Sequence, residues 1–357
     1  MMTKQLLLAS ALILVGCGYS SGDEVEQVGL GADSALPPRK GTILIDGCVI
    51  DTWSRATLSL AATKKVAQEV IMLCAVPRLD GTVGPRDDGA SAHLSALVDD
   101  LHREGYRVNL GIAFTDETGQ RYDGTQTRNF LGSPTWRARF VETLPSVLAP
   151  FDGAEIDLQK LPDDARLSVT ALVAEISAKV RPQKKLNAFI PPSVTVPSDI
   201  PGGEAFSRLE LAPNLDRMRV MTLDFSENAP GPTLDSGWAV DAVRFAMRDF
   251  PHCDISVPLY GIDFGPRGRR PTTWFEAQAI TTKGGIHIEH GPSGSPFFRY
   301  VLFGNETHEL WYDDATSTAR ALGAWTLDVL PADVGVLFYG LGAEDPALFE
   351  SIGGRMP

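Results

Sequence analysis

Three polar side chains recur at intervals of two in the stretch Phe151-Asp-Gly-Ala-Glu-Ile-Asp-Leu-Gln159. Ala154, Ile156 and Leu158 lie between them, so the stretch reads as a buried strand ending in acidic residues. Side chains alternate along a strand, which puts Glu155, Asp157 and Gln159 on one face. Burying three polar groups at the end of an apolar strand is costly without a purpose. Two carboxyls on one face can orient a ligand or handle protons. The third member is an amide: it can donate a hydrogen bond but has no proton to give at neutral pH.

The rest of the chain must position that face. Apolar runs alternate with amphipathic stretches, a pattern of βα units around a parallel sheet. Strands are predicted at 43–50, 70–76, 107–113, 153–158, 186–190, 218–224, 254–260 and 335–339. Helices are predicted at 91–103, 136–148, 164–180, 238–249 and 315–327. Eight such runs predict a (β/α)8 TIM barrel, whose functional groups gather at the C-terminal ends of the strands. Asp163-Asp164 and Asp314 are placed to cap helices, and Pro145 is placed to kink or end the second one. Residues 265–310 break the alternation. They predict a small α+β insertion between strands seven and eight, with strands at 286–289 and 297–301, forming one wall of the cleft.

Residues 1–16 read as a signal peptide, with Lys4 before an apolar run from Leu6 to Leu14. Leu14-Val-Gly-Cys17 resembles a lipobox, which implies lipidation of Cys17 and anchoring in the cell envelope, with the outer membrane favoured. Residues 17–40 read as a flexible tether, and residues 41–357 as the barrel. The net charge of −13 argues against nucleic acid, whose phosphates demand a basic surface. With Cys17 acylated, Cys48, Cys74 and Cys253 remain, an odd count that leaves at least one free thiol. Cys74 reads as a small core residue, which leaves Cys48–Cys253 as a pairing to test. His287 and His290 lack the partners of a metal site, and no cofactor is expected.

Asp152-Gly-Ala-Glu-Ile-Asp-Leu-Gln159 resembles the fourth-strand Asp-Gly-x-Asp-x-Asp-x-Glu motif of glycoside hydrolase family 18, the chitinase-like family. The resemblance is nearest to its peptidoglycan and spore-cortex branch. Val220-Met-Thr-Leu-Asp224 resembles the sixth-strand motif, and Val257-Pro-Leu-Tyr-Gly261 the seventh strand. His308-Glu-Leu-Trp-Tyr-Asp-Asp314 with Gly335-Val-Leu-Phe-Tyr339 resembles the C-terminal segment. In that family the substrate's acetamido oxygen attacks the anomeric carbon, an exception to the two-carboxylate scheme.

The resemblance implies roles by position. Asp157 inherits the acetamido-orienting role, Glu155 the supporting acid and Asp224 the sixth-strand acid. Asp152, Tyr260, Tyr339, Trp53 and Trp311 are expected to bind substrate. Gln159 stands where the general acid would be, Leu223 where a tyrosine would be, and Tyr339 where a tryptophan would be. The expected ligand is a glycan containing N-acetylhexosamine, bound with weak or lost hydrolysis. A working hydrolase with a substitute acid (Glu210 or Glu227) and a non-catalytic protein-binding scaffold are the other two expectations.

Overall fold

A computed structural model describes residues 35–86, 91–116, 121–302 and 305–355. Cys17, the signal segment and most of the tether lie outside them. The strands, in chain order, are β1 (Gly41–Ile45), β2 (Glu69–Pro77), β3 (Val83–Pro85), β4 (Arg107–Ala113), β5 (Gly153–Asp157), β6 (Lys185–Ile190), β7 (Arg217–Val220) and β8 (Cys253–Pro258). They continue with β9 (Gly261–Gly265), β10 (Gly268–Thr272), β11 (Glu289–His290), β12 (Pro296–Leu302), β13 (Glu306–Trp311) and β14 (Gly335–Tyr339). Eight of them, β1, β2, β4, β5, β6, β7, β8 and β14, form a parallel sheet in chain order. Pairing of β1 with both β2 and β14 closes it into the predicted (β/α)8 barrel.

The helices are α1 (Thr52–Ser59), α2 (Ala61–Val66), α3 (Ser91–Arg103), α4 (Gly124–Gly132), α5 (Pro134–Val147) and α6 (Arg166–Val180). They continue with α7 (Arg208–Leu211), α8 (Ser236–Met247), α9 (Trp274–Gly284), α10 (Ala315–Ala324) and α11 (Leu348–Gly353). Asp314 caps α10 through a capping box, as predicted. Asp163 and Asp164 do not cap α6; they lie within a short 3-10 turn that precedes it. Pro145 sits inside α5, which continues only to Val147.

Period-two alternation sorts each barrel strand into two faces. On β5, Ala154 and Ile156 face outward into the helix-packed core, and Glu155 and Asp157 face the barrel interior. The interior is layered. Leu44, Ile71, Leu73, Ala113, Phe189 and Leu337 make an apolar middle layer. Below it lies an ionic layer centred on Arg219, which is 1% exposed. The Arg219 guanidinium donates to Glu155 Oε1 at 2.8 Å and also meets Asp254 and Glu69. Asn109 and Asn187 donate to Glu155 at 2.9 and 2.6 Å. Gly153 sits where a Cβ would come within 2.7 Å of the Lys185 carbonyl, so the motif glycine is demanded by close strand packing.

Between β8 and β14 the chain builds a five-stranded antiparallel sheet, ordered β10-β9-β13-β12-β11. With α9 it forms the expected α+β insertion, but the sheet spans 261–311 rather than 265–310, because the hairpin β9–β10 begins directly after β8. The predicted strand at 286–289 is reduced to Glu289–His290. Asp313 ties the insertion to the barrel: it accepts from Thr233 at 2.9 Å, Ser295 at 2.8 Å and Ser317 at 2.9 Å.

Two expectations are corrected. Cys74 is not a simple core residue: it forms a disulfide with Cys48, joining the segment after β1 to β2. Among the described residues Cys253 is a buried free thiol, so no Cys48–Cys253 bridge exists. The end of the tether is also packed. Arg39 donates to the carbonyls of Pro331, Val334, Trp325 and Leu330, and Leu36 is buried. These residues precede β1, so they lie at the N-terminal end of the barrel.

Arg219 pairs with three carboxylates, so its removal strands buried negative charge. Arg219→Met should lower the unfolding free energy by about 3–5 kcal/mol at neutral pH, measured by urea denaturation. Unchanged stability would show that the ionic layer does not hold the barrel. Peptide mapping of the oxidised protein should return Cys48 cross-linked to Cys74, and Cys253 alkylated only after unfolding.

Candidate functional site

The C-terminal ends of the barrel strands converge on Asp157. It is the last residue of β5 and only 1% exposed. Tyr122, paired through an isolated bridge to Thr115 beyond β4, donates its hydroxyl to Asp157 Oδ2. Gln159 Nε2 donates to both carboxylate oxygens, at 3.1 and 3.2 Å. Both oxygens of Asp157 are therefore occupied from within the chain. Burial pushes its carboxyl up to about 6, against the lowering effect of the Tyr122 and Gln159 hydrogen bonds; Asp46 raises it further and Arg86 lowers it.

A cavity of about 370 Å³ opens at the same end of the barrel, lined by Asp46, Asp224, Tyr260, Arg269, Tyr339 and Ala343, among others, with Asp157 buried behind the lining rather than part of it. Asp224 follows β7 with φ 55, the left-handed region that non-glycine residues adopt at a cost. Two partners hold that conformation: Tyr260 donates to Oδ1 at 2.6 Å, and Arg269 Nη1 donates to Oδ2 at 2.8 Å. Arg269 comes from the insertion hairpin, which makes the insertion a wall of the cavity as predicted. Tyr339, at the end of β14, faces Tyr260 at 6.3 Å between ring centroids. Burial pushes both phenols well above their ordinary range, so they remain protonated donors.

The predicted residues thus divide by depth. Asp157, Gln159, Asp224, Tyr260 and Tyr339 gather at the mouth. Glu155 lies a layer deeper, consumed by Arg219, Asn109 and Asn187. Burial pushes its carboxyl up while Arg219 pulls it down. Asp152 is not brought to the cavity: it immediately precedes β5, at the opposite end of the barrel. There it accepts from the Val108 amide at 2.7 Å and lies 2.9 Å from His102 Nε2.

Trp311 is not on the cleft either. It stacks on Phe297 within the insertion at 4.2 Å and donates to Glu309. Trp53 stands on the rim, donating to Glu344 at 3.1 Å with its ring edge against Phe275. Glu210 is paired with Arg166 on an outer helix, and Glu227 pairs with Arg269 outside the cavity lining. Neither is among the residues that line the cavity.

Sequence reading missed Asp46, Arg86, Tyr122 and Arg269. Asp46 had a legible signal, being an acid within the apolar run of a predicted strand, although that strand ends at Ile45, before it, rather than at residue 50. Arg86 and Tyr122 come from connecting segments and Arg269 from the insertion hairpin, whose paths only the closed barrel fixes.

No family model matches the chain. A Bacillus subtilis (strain 168) protein provisionally described as a sporulation-specific glycosylase, YdhD, is 23% identical over 247 residues. That match covers 62% of this chain, and the chain spans 58% of that relative's length. Among solved structures, the Bacillus cereus spore cortex-lytic enzyme SleL superposes with a TM-score of 0.73 at 14% identity, covering 91% of this chain and 76% of that one. A mutant class V chitinase from Nicotiana tobaccum, glutamate replaced by glutamine and in complex with NAG4, gives a TM-score of 0.67 at 14% identity. It covers 89% of this chain and 98% of that one. The chain therefore has the barrel of chitinases and spore cortex-lytic enzymes, as the motif resemblance implies.

A carboxyl raised on folding holds its proton more tightly in the native state. Asp157 therefore favours the fold below its unfolded value of 3.8, and this contribution is lost as pH rises through about 6. Above that, burial of the ionised group costs on the order of 3 kcal/mol. Asp157→Asn should raise the thermal midpoint at pH 8 and leave it nearly unchanged at pH 4. A loss of stability at pH 8 would show that the ionised carboxylate is a net stabiliser.

Proposed function

We propose that this chain is a chitinase-like barrel of the glycoside hydrolase family 18 type that binds N-acetylhexosamine glycans, with hydrolysis weak or lost. The observation that carries the reading is the hydrogen bonding of Gln159. Its amide occupies the position of the general acid and donates to Asp157, where a carboxylic acid would release a proton to the leaving oxygen. A positioned general acid is worth about 10²–10⁴-fold in rate. The binding half rests on the cavity at the same end of the barrel as Asp157. Asp224 and Arg269 offer an acceptor and a donor there, with the Tyr260 and Tyr339 rings on the same wall.

Similarity supports the choice of ligand class. The tobacco chitinase was captured with NAG4 in a glutamine-substituted form, and the other relatives are named for glycosylase or cortex-lytic roles. Peptidoglycan is the N-acetylhexosamine polymer nearest to a protein anchored in the envelope. That anchoring is proposed through lipid on Cys17, with the outer membrane favoured. Arg39 holds the start of the barrel at the end opposite the cavity, so a chain tethered from its N-terminal side would present the cavity away from the anchor. Labelling with palmitate, lost in Cys17→Ala, and fractionation of the membranes test that placement.

A second reading is favoured by the burial of Asp157. With both oxygens taken and almost no exposed surface, the barrel could serve as a protein-binding scaffold that no longer receives sugar. Calorimetry and product analysis separate the two. The protein should bind NAG4 or peptidoglycan fragments with negligible turnover, and Gln159→Glu should raise turnover by about 10²–10⁴-fold. Robust wild-type hydrolysis, abolished by Asp157→Asn, would overturn the loss of catalysis. Absence of binding to both glycans would favour the scaffold.

A further inference from the structure

A second charged pair, with one member on the cavity lining and the other beside it, is not assigned by the motif resemblance. Asp46, the residue after β1, lines the cavity and pairs with the Arg86 guanidinium, from just beyond β3. Half of the Asp46 side chain is exposed and a quarter of Arg86. Both act electrostatically on Asp157 and on Tyr339, so the pair stands over the same floor as the described residues. The Cys48–Cys74 disulfide fixes its position. Cys48 lies two residues after Asp46, and the Cys74 carbonyl accepts from the Arg86 amide at 2.6 Å. The staple thereby holds both members of the pair to one strand edge.

The mouth therefore carries two carboxylate–guanidinium pairs. Asp224–Arg269 comes from β7 and the insertion; Asp46–Arg86 comes from β1 and β3. A carboxylate beside a guanidinium offers an acceptor and a fork of donors at adjacent points. The 3-hydroxyl and the neighbouring 2-acetamido group of an N-acetylhexosamine ring can donate to the first and accept from the second at once. A free anion would instead be repelled by Asp46 and Asp224, and a cation by Arg86 and Arg269.

We propose that Asp46 and Arg86 form a specificity-determining pair that binds adjacent polar groups of a neutral N-acetylhexosamine ring, its 3-hydroxyl and 2-acetamido groups, with the Cys48–Cys74 disulfide as their positioning device. This rests on the glycan-binding reading given above and extends it to residues outside the family motifs. Arg86 is a binding residue here; the disulfide acts only through it and Asp46.

Calorimetric titration with NAG4 at pH 7.5 tests the pair, using Asp46→Asn, Arg86→Met, their double variant and Asp224→Asn. Thermal midpoints check that each variant is folded. Each single change in the pair should weaken binding about tenfold or more, the typical loss for a hydrogen bond to a charged group. The double variant should be weaker than either by much less than the product, since the two side chains act as one unit. If both single variants of the pair bind as wild type while Asp224→Asn does not, the role of the pair is overturned and the glycan reading stands. If the wild-type protein binds neither NAG4 nor peptidoglycan fragments, the glycan reading fails and the role of the pair falls with it.

Discussion

The burial of Arg219 among Glu155, Asp254 and Glu69 is the interaction on which the rest of the barrel depends. Its partners come from β2, β5 and β8, and Arg219 itself comes from β7. Four of the eight strands thus meet at one guanidinium. Desolvating a charge is expensive, so such an arrangement persists only when geometry and partner count are satisfied. Thr42 on β1 and the two asparagines on β4 and β6 complete it. The register that satisfies Arg219 also fixes where Asp157 stands, two residues further along β5. A one-residue slip would turn both acids out of the barrel.

Depth along one strand therefore assigns different work to chemically similar residues. Glu155 is a structural counter-ion, while Asp157, one layer up, sits beneath the cavity with Tyr122 and Gln159 on its oxygens. Both carboxyls are pushed up by burial, yet the opposing charge acts strongly on only the lower one. The upper layer has hydrogen-bond donors but no buried cation of its own. Position 159 lacks an ionisable proton for a different reason, the amide chemistry of glutamine.

The insertion and the disulfide complete the mouth from opposite sides. The insertion hairpin brings Arg269 to Asp224 and helps to hold its left-handed backbone. The Cys48–Cys74 staple holds the loop that carries Asp46 and the carbonyl that anchors Arg86. Neither device touches the ionic layer, so the mouth can vary while the barrel below remains intact. Loops positioned by a rigid scaffold are where such variation accumulates in this architecture.

The amino-acid sequence by itself determined the barrel, its strand positions to within a few residues, the insertion and the shared face of Glu155, Asp157 and Gln159. These follow from period-two and helical patterning, which are local properties. It also placed Asp224, Tyr260 and Tyr339 at strand ends, where a barrel gathers its functional groups. Only the tertiary structure decided which polar residues meet. It put Asp152 at the wrong end of β5 for binding and Trp311 inside the insertion, and it paired Cys48 with Cys74. It also brought Tyr122, Arg269, Asp46 and Arg86 to the mouth. Those outcomes depend on loop paths and barrel closure, contacts between residues distant in the chain that no local pattern encodes.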